Sequence, residues 1–231
     1  MSEKKSGNTV IYGLLAVLIG LMIFNQITLL NINSAMTTTS VTGASAVTAS
    51  ADSKDISSVN LGQIKSTAQS IAYLFDVSNV KTEQDAMNVI IPQGTPDYGA
   101  QLGVSYDDPV NGLSKLHQTY SSLQLTGADQ ERYVSIVTKT VGISCEFCCG
   151  VGAVGADANG DPICGCQHNP ALLGLTKWLV KNTDYTDQEI VKEALKWKAL
   201  FFPQKMVETT LAVAGTDASS VANLPGMVGG C

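Results

Sequence analysis

Residues 10–30 (VIYGLLAVLIGLMIFNQITLL) form an apolar run without one charged side chain. At about 1.5 Å of rise per residue, a helix of that length crosses a bilayer core of about 30 Å. The pattern therefore predicts a transmembrane helix over 10–30, behind a short polar segment, 1–9. Asn25 and Gln26 in its outer part mark the headgroup interface or hydrogen-bond between helices of a homo-oligomer. Residues 31–59 change character: Ser, Thr and Ala dominate, with TTTS and TGASAVTASA, and neither a helical nor a strand period is present. That composition predicts a solvated tether.

Periodic apolar positions resume at residue 61. Leu61, Ile64, Ala68, Ile71, Leu74 and Phe75 fall on one helical stripe. A loop with Pro92, Gly94, Pro96 and Gly99 follows. Asp108-Pro109 reads as an N-cap with proline at the first helical position, ahead of Val110, Leu113, Leu116 and Tyr120. Residues 132–141 (RYVSIVTKTV) are rich in β-branched side chains and lean towards strand, or else close a helix begun at Thr126. Asn169-Pro170 opens another helix by the same cap logic, running to about Asn182. Thr186-x-x-Glu189 is a capping box for a helix carrying Ile190, Val191, Ala194, Leu195, Trp197, Leu200 and Phe201, which Pro203 ends or kinks. A last helix is expected over 204–214. The tail, 215–231, is small and polar until Leu224-Pro225-Gly226-Met227-Val228, an apolar patch suited to docking. The fold class this predicts is a mainly α soluble domain over 60–214, with a short β element at the cysteines, preceded by one transmembrane helix.

Charge sets the orientation. Lys4 and Lys5 precede the apolar run and no Lys or Arg follows until Lys54. The positive-inside rule then keeps the N-terminus in the cytoplasm and puts the C-terminal domain outside. A cleaved signal peptide, with its apolar core at 10–24, competes with a retained anchor. The small-x-small triplet at Ala49–Ala51 lies too far downstream to serve it. A pilin-like filament helix ranks last, because the early Glu of such helices is missing. With net charge -6 and no basic run after Lys5, nucleic acid is not an expected partner.

Six cysteines are present, and their distribution says more than their number. Cys145, Cys148, Cys149, Cys164 and Cys166 fall together, whereas Cys231 stands apart. Stapling disulfides are usually spread along a chain, while ligands of one ion come in tight groups. The order is Cys145-Glu-Phe-Cys148-Cys149-Gly, then Cys164-Gly165-Cys166-Gln-His168. Asn159-Gly160 between the halves is a hairpin signal that would fold them together. Metal ligands are expected first at Cys145, Cys148, Cys164, Cys166 and His168, with Cys149 and Cys231 secondary and Cys231 serving as a further ligand or a disulfide partner. Four sulfurs, or three and an imidazole, suit zinc; soft thiolates also suit copper(I), with an iron–sulfur cluster ranked below both. The second half is C-x-C-x-H where a zinc ribbon has C-x-x-C, and sulfurs exceed four. Both departures favour copper, a second ion, or ligands mixed with one disulfide.

Around Cys164-Gly165-Cys166 and His168 the chain resembles the PCYCGC-motif membrane-associated proteins. The likeness covers about twenty-five residues, lacks the Pro-Cys-Tyr lead, and implies a soft-metal site on an extracytoplasmic domain without implying catalysis.

Three functions are expected in this order: a membrane-anchored extracytoplasmic metal-binding protein, a disulfide-stapled surface or filament subunit, and a thiol oxidoreductase using Cys145-Glu-Phe-Cys148. Redox C-x-x-C motifs usually open a helix after a strand in a βαβ setting, which this pattern lacks. Asp157-x-Asn159-x-Asp161 has calcium-like alternation but no closing Glu, and reads as turn chemistry. His117 reads as a structural histidine, and Trp178 and Trp197 as core.

Overall fold

The computed structural model describes residues 54–216 and 224–229. The segment expected to span a membrane, most of the tether and Cys231 lie outside the described residues. Among the described residues no helix is long and apolar enough to cross a membrane.

The described chain is mainly helical. A 3-10 turn, Leu61–Gln63, precedes α1 (Thr67–Leu74), α2 (Glu83–Ile90), α3 (Gly99–Leu102), α4 (Pro109–Ser122), α5 (Gly127–Lys139), α6 (Glu146–Cys149), α7 (His168–Asn182), α8 (Asp187–Phe201) and α9 (Pro203–Ala214). The expected β element amounts to one antiparallel bridge, Ala156 to Pro162.

Side-chain caps fix four of the nine described α-helix starts. The Asp108 side chain accepts from Asn111 N–H with Pro109 at the first position of α4, and Thr186 with Glu189 makes a reciprocal capping box on α8. The same box, Thr82 with Asp85, starts α2, a helix the apolar pattern did not predict because only Ala86 and Ile90 are buried on it.

Of the two readings left open for 132–141, the structure has the helix begun at Thr126, because Tyr133, Ile136 and Val137 share one buried face and that packing overrides β-branched preference. The structure corrects three other expectations. The 61–75 stripe is broken: Ser66 caps a new helix after the 3-10 turn. Asn169 is not a cap; it lies inside α7, fully buried, and its amide donates to Gly155 O. Residues 54–58, assigned by composition to the tether, pack on α1: Ile56 is buried, and Lys54 Nζ donates to Ala72 O and Phe75 O.

α7 and α8 form the centre. α7 packs on α4, α5 and α8, and α8 also meets α1, α2, α4 and α9. Residues 168–176 of α7 are all buried, as expected of a helix surrounded by others. Gly174 lets α7 approach the α4 backbone: a Cβ there would overlap the Leu116 carbonyl oxygen and come within 2.8 Å of Tyr120 N. The irregular 91–108 segment is tied to α8 by one buried carboxylate. Glu193 accepts from Tyr98 Oη at 3.0 Å and Tyr106 Oη at 2.5 Å, and Trp197 Nε1 donates to Tyr98 Oη at 2.7 Å. Burial, and then the charge of Glu193, pushes both phenols well above their ordinary range, so they remain donors.

Gly174→Ala forces α4 and α7 apart. A loss of about 1–3 kcal/mol is expected, the usual cost of overpacking a core, measured by urea denaturation; a variant as stable as the parent would show that the seam is soft.

Candidate metal centre

The cysteines sit in a largely irregular stretch, 140–167, held from behind by helices. Ser70 Oγ donates to Val141 O at 2.6 Å. Gly142, at φ 115°, takes a conformation that side chains resist, and its N–H donates to Ala153 O at 2.9 Å. The strongest anchor is Lys198 on α8. Its side chain is fully buried, and Nζ reaches Glu146 Oε1 at 2.6 Å, Gly142 O at 3.2 Å and Thr67 Oγ1 at 3.4 Å. Burial pushes its ammonium below the ordinary lysine range while Glu146 pulls it back up. Thr67 Oγ1 also donates to Glu146. Glu146 opens α6, whose N-cap is Cys145 and whose last residue is Cys149, so this buried ion pair sets where the first cysteine segment stands. Phe147 packs edge-on against Phe202 and lies under Lys198 Nζ.

The second segment is returned to the first by a turn. Asp157 Oδ1 accepts from Asn159 N–H and Asp161 N–H, Gly160 takes φ 86°, and Asp157 N–H donates to Asp161 O. The calcium-like alternation is thus spent on the turn itself. Cys166 then stands just before Gln167, the N-cap of α7.

The sulfurs of Cys145, Cys149, Cys164 and Cys166 all lie within 4.8 Å of one another. Two contacts cross between the segments: Cys149 Sγ to Cys164 Sγ at 2.7 Å and Cys145 Sγ to Cys166 Sγ at 3.1 Å. Four thiolates at about 2.3 Å from a tetrahedral ion stand about 3.8 Å apart. Loading therefore asks the close pairs to open by about 1 Å, without moving either segment as a whole.

The chain matches no known protein family, no curated protein and no solved structure. The site's chemistry therefore rests on its own geometry.

Of the expected ligands, Cys145, Cys149, Cys164 and Cys166 are brought together, and all four are free thiols. Cys148 is disulfide-bonded. His168 is outside the group of four. It is fully buried at the start of α7, stacked near Phe201 and Phe202, with Nε2 2.7 Å from Val228 O. A carbonyl only accepts, so Nε2 carries the proton and Nδ1 presents a lone pair. That Nδ1 has no partner; neither do Ser144 Oγ and Asn169 Oδ1. These three buried unpaired atoms are all within three residues of a cluster cysteine. Such atoms cost about 1–3 kcal/mol each unless something answers them.

Electrostatics in the cluster are uneven. Burial, then hydrogen bonding with Cys166 and Cys164, pushes the Cys145 thiol far up. The hydrogen bond to Cys164, followed by burial, raises Cys149 to about 11. Burial works against Cys164 as well, but hydrogen bonds from Cys149, the Cys166 N–H and the other thiols outweigh it and bring Cys164 to about 7. Negative charge on Cys164 is thus favoured by its donors without an ion.

Sequence reasoning did not single out Lys198. Its signal was present: Val191, Leu195 and Lys198 recur at helical spacing on a buried stripe, and a cation there requires a buried anion.

Lys198→Met should destabilise the domain by about 3–5 kcal/mol, because Glu146 is left without its cation. Glu146→Gln in the same chain should recover much of that, read from denaturant midpoints. For His168, burial holds the imidazole below its ordinary value of 6.5. The unfolded chain then takes up the proton first on acidification, so folded stability falls as pH drops below about 6.5. Nitrogen NMR should find a single Nε2–H tautomer at neutral pH and a titration midpoint under that value.

Proposed function

We propose that this is a membrane-anchored metal-binding protein, with Cys145, Cys149, Cys164 and Cys166 holding one soft ion. The observation that carries this is the convergence of four sulfurs within 4.8 Å. That spacing suits one ion more than a multi-iron cluster, whose thiolates must stand around several metals. Four thiolates suit zinc, and copper(I) is the alternative that the same soft donors accept. A site with its four positions filled by protein offers no open position for a substrate, which favours binding over catalysis. The anchor is the apolar run at 10–30, with the domain outside the cytoplasm. The disulfide at Cys148 supports an oxidising compartment, and the likeness of Cys164-Gly165-Cys166 with His168 to the PCYCGC-motif proteins points the same way.

The Cys148 disulfide also favours a second reading, a domain stapled by disulfides alone. Elemental analysis with thiol counting separates the two. The metal reading expects one ion per chain and, after chelation under denaturing conditions, four reactive thiols. A metal-free chain with no reactive thiol would establish the stapled reading instead. Because the Cys145 and Cys149 thiols are held protonated in the empty site, loading should release protons, so apparent zinc affinity rises with pH; calorimetry in buffers of different ionisation enthalpy measures this.

A further inference from the structure

The four sulfurs are not equivalent. They form two cross-segment pairs, and the pairs differ in access. Cys149 is exposed, whereas Cys145, Cys164 and Cys166 are buried. Gly150 and Gly165, beside the outer pair, have open space where a Cβ would stand, so a small molecule can approach Cys149 without displacing a side chain. Each close pair needs only about 1 Å of further approach to reach the disulfide length of about 2.05 Å. Neither C-x-C pairing within the second segment nor the Cys145/Cys148 motif offers this: Cys148 is already bonded, and the two close sulfur contacts run between segments.

We propose that the centre is an ordered thiol–disulfide switch, in which Cys149 and Cys164 pair first and Cys145 and Cys166 second, expelling the ion. This rests on the metal-binding reading above. The oxidant is a small disulfide of the glutathione class. The Cys149 thiolate, held deprotonated by the ion in the loaded site, attacks one sulfur of that disulfide, forming a mixed disulfide and releasing one small thiolate. The Cys164 thiolate then attacks Cys149 Sγ, forming the Cys149–Cys164 bond and releasing the second. Two protein thiolates are oxidised and one small disulfide is reduced to two thiolates. The ion keeps two of its four ligands and departs. A second equivalent of oxidant converts Cys145 and Cys166 by the same two displacements. Excess small thiol runs both steps backwards and restores the site. The buried pair is protected while the ion is in place, since of the four cluster sulfurs the exposed one, Cys149, belongs to the outer pair.

The test uses the full chain loaded with zinc alone and titrated with oxidised glutathione. Zinc release is followed with a chromophoric chelator too weak to strip the protein, and disulfides are mapped by mass spectrometry after alkylation. The expected result is one zinc released with the first equivalent, a Cys149–Cys164 bond, and Cys145 and Cys166 still alkylated. The second equivalent gives Cys145–Cys166, and reduced glutathione restores zinc uptake. Cys149→Ser should retain zinc on three thiolates yet lose oxidant-driven release. If that variant binds no zinc, the order of disulfides in the unaltered chain still decides. Zinc uptake followed by no release, by release without a disulfide, or by a Cys145–Cys166 bond ahead of Cys149–Cys164 overturns the switch alone. A chain that takes up no zinc overturns the metal reading and, with it, the expulsion step.

Discussion

A lysine nitrogen carried to zero exposure must be answered by an anion and by carbonyl or hydroxyl oxygens, or it will not stay charged. Lys198 satisfies that demand with Glu146, Gly142 and Thr67, which lie on α6, on the segment before it and on α1. One residue of α8 thereby draws three other parts of the chain to a single point. The cysteine segments have almost no regular structure of their own, so their placement depends on this tie and on the closely packed helices behind it. The packing of α4, α7 and α8 around Gly174 and Trp197 supplies a rigid back wall; the ion pair fastens the irregular front to it.

Upon this support, the two cysteine segments meet through a division of labour. Cys145 and Cys166 stay deep, beside α6 and α7, while Cys149 reaches solvent. Depth preserves geometry and protects thiols, and exposure permits exchange. The docked segment 224–229 closes another side: Val228 N–H donates to Phe201 O, Val228 O accepts from His168, and Pro225 O accepts from Gln204 N–H. His168 therefore links the start of α7 to the C-terminal segment, while its unpaired nitrogen faces the buried interior near the cysteines in sequence.

Much of the helical scaffold was legible in the chain. Asp108-Pro109, Thr186-x-x-Glu189 and Pro203 each acted as their local chemistry requires, since caps and proline constrain the backbone without help from distant residues. What failed or stayed open needed tertiary information. Residues 132–139 read as strand or helix alike, and they are helical because Tyr133, Ile136 and Val137 meet the core on one side. Asn169 has the chemistry of a cap but turns inward to Gly155 O. At the site, spacing located the two segments and the turn between them. It preferred Cys148 to its neighbour Cys149, and the fold reverses that choice: both positions fall near the helical face of Cys145, and only the fold separates a bonded cysteine from a free one. The second half of the pattern, Cys164 and Cys166, needed no such choice and was readable directly.

The turn at 157–161 carries a consequence for how the centre is assembled. Its closure is built from the Asp157 carboxylate and main-chain groups, with no contribution from any sulfur. The entropy of bringing the two halves together is therefore met during folding, before any ion arrives. An incoming cation finds a preset socket rather than a loose string of donors, and capture should resemble docking into a finished receptacle more than the metal-driven folding of small zinc fingers.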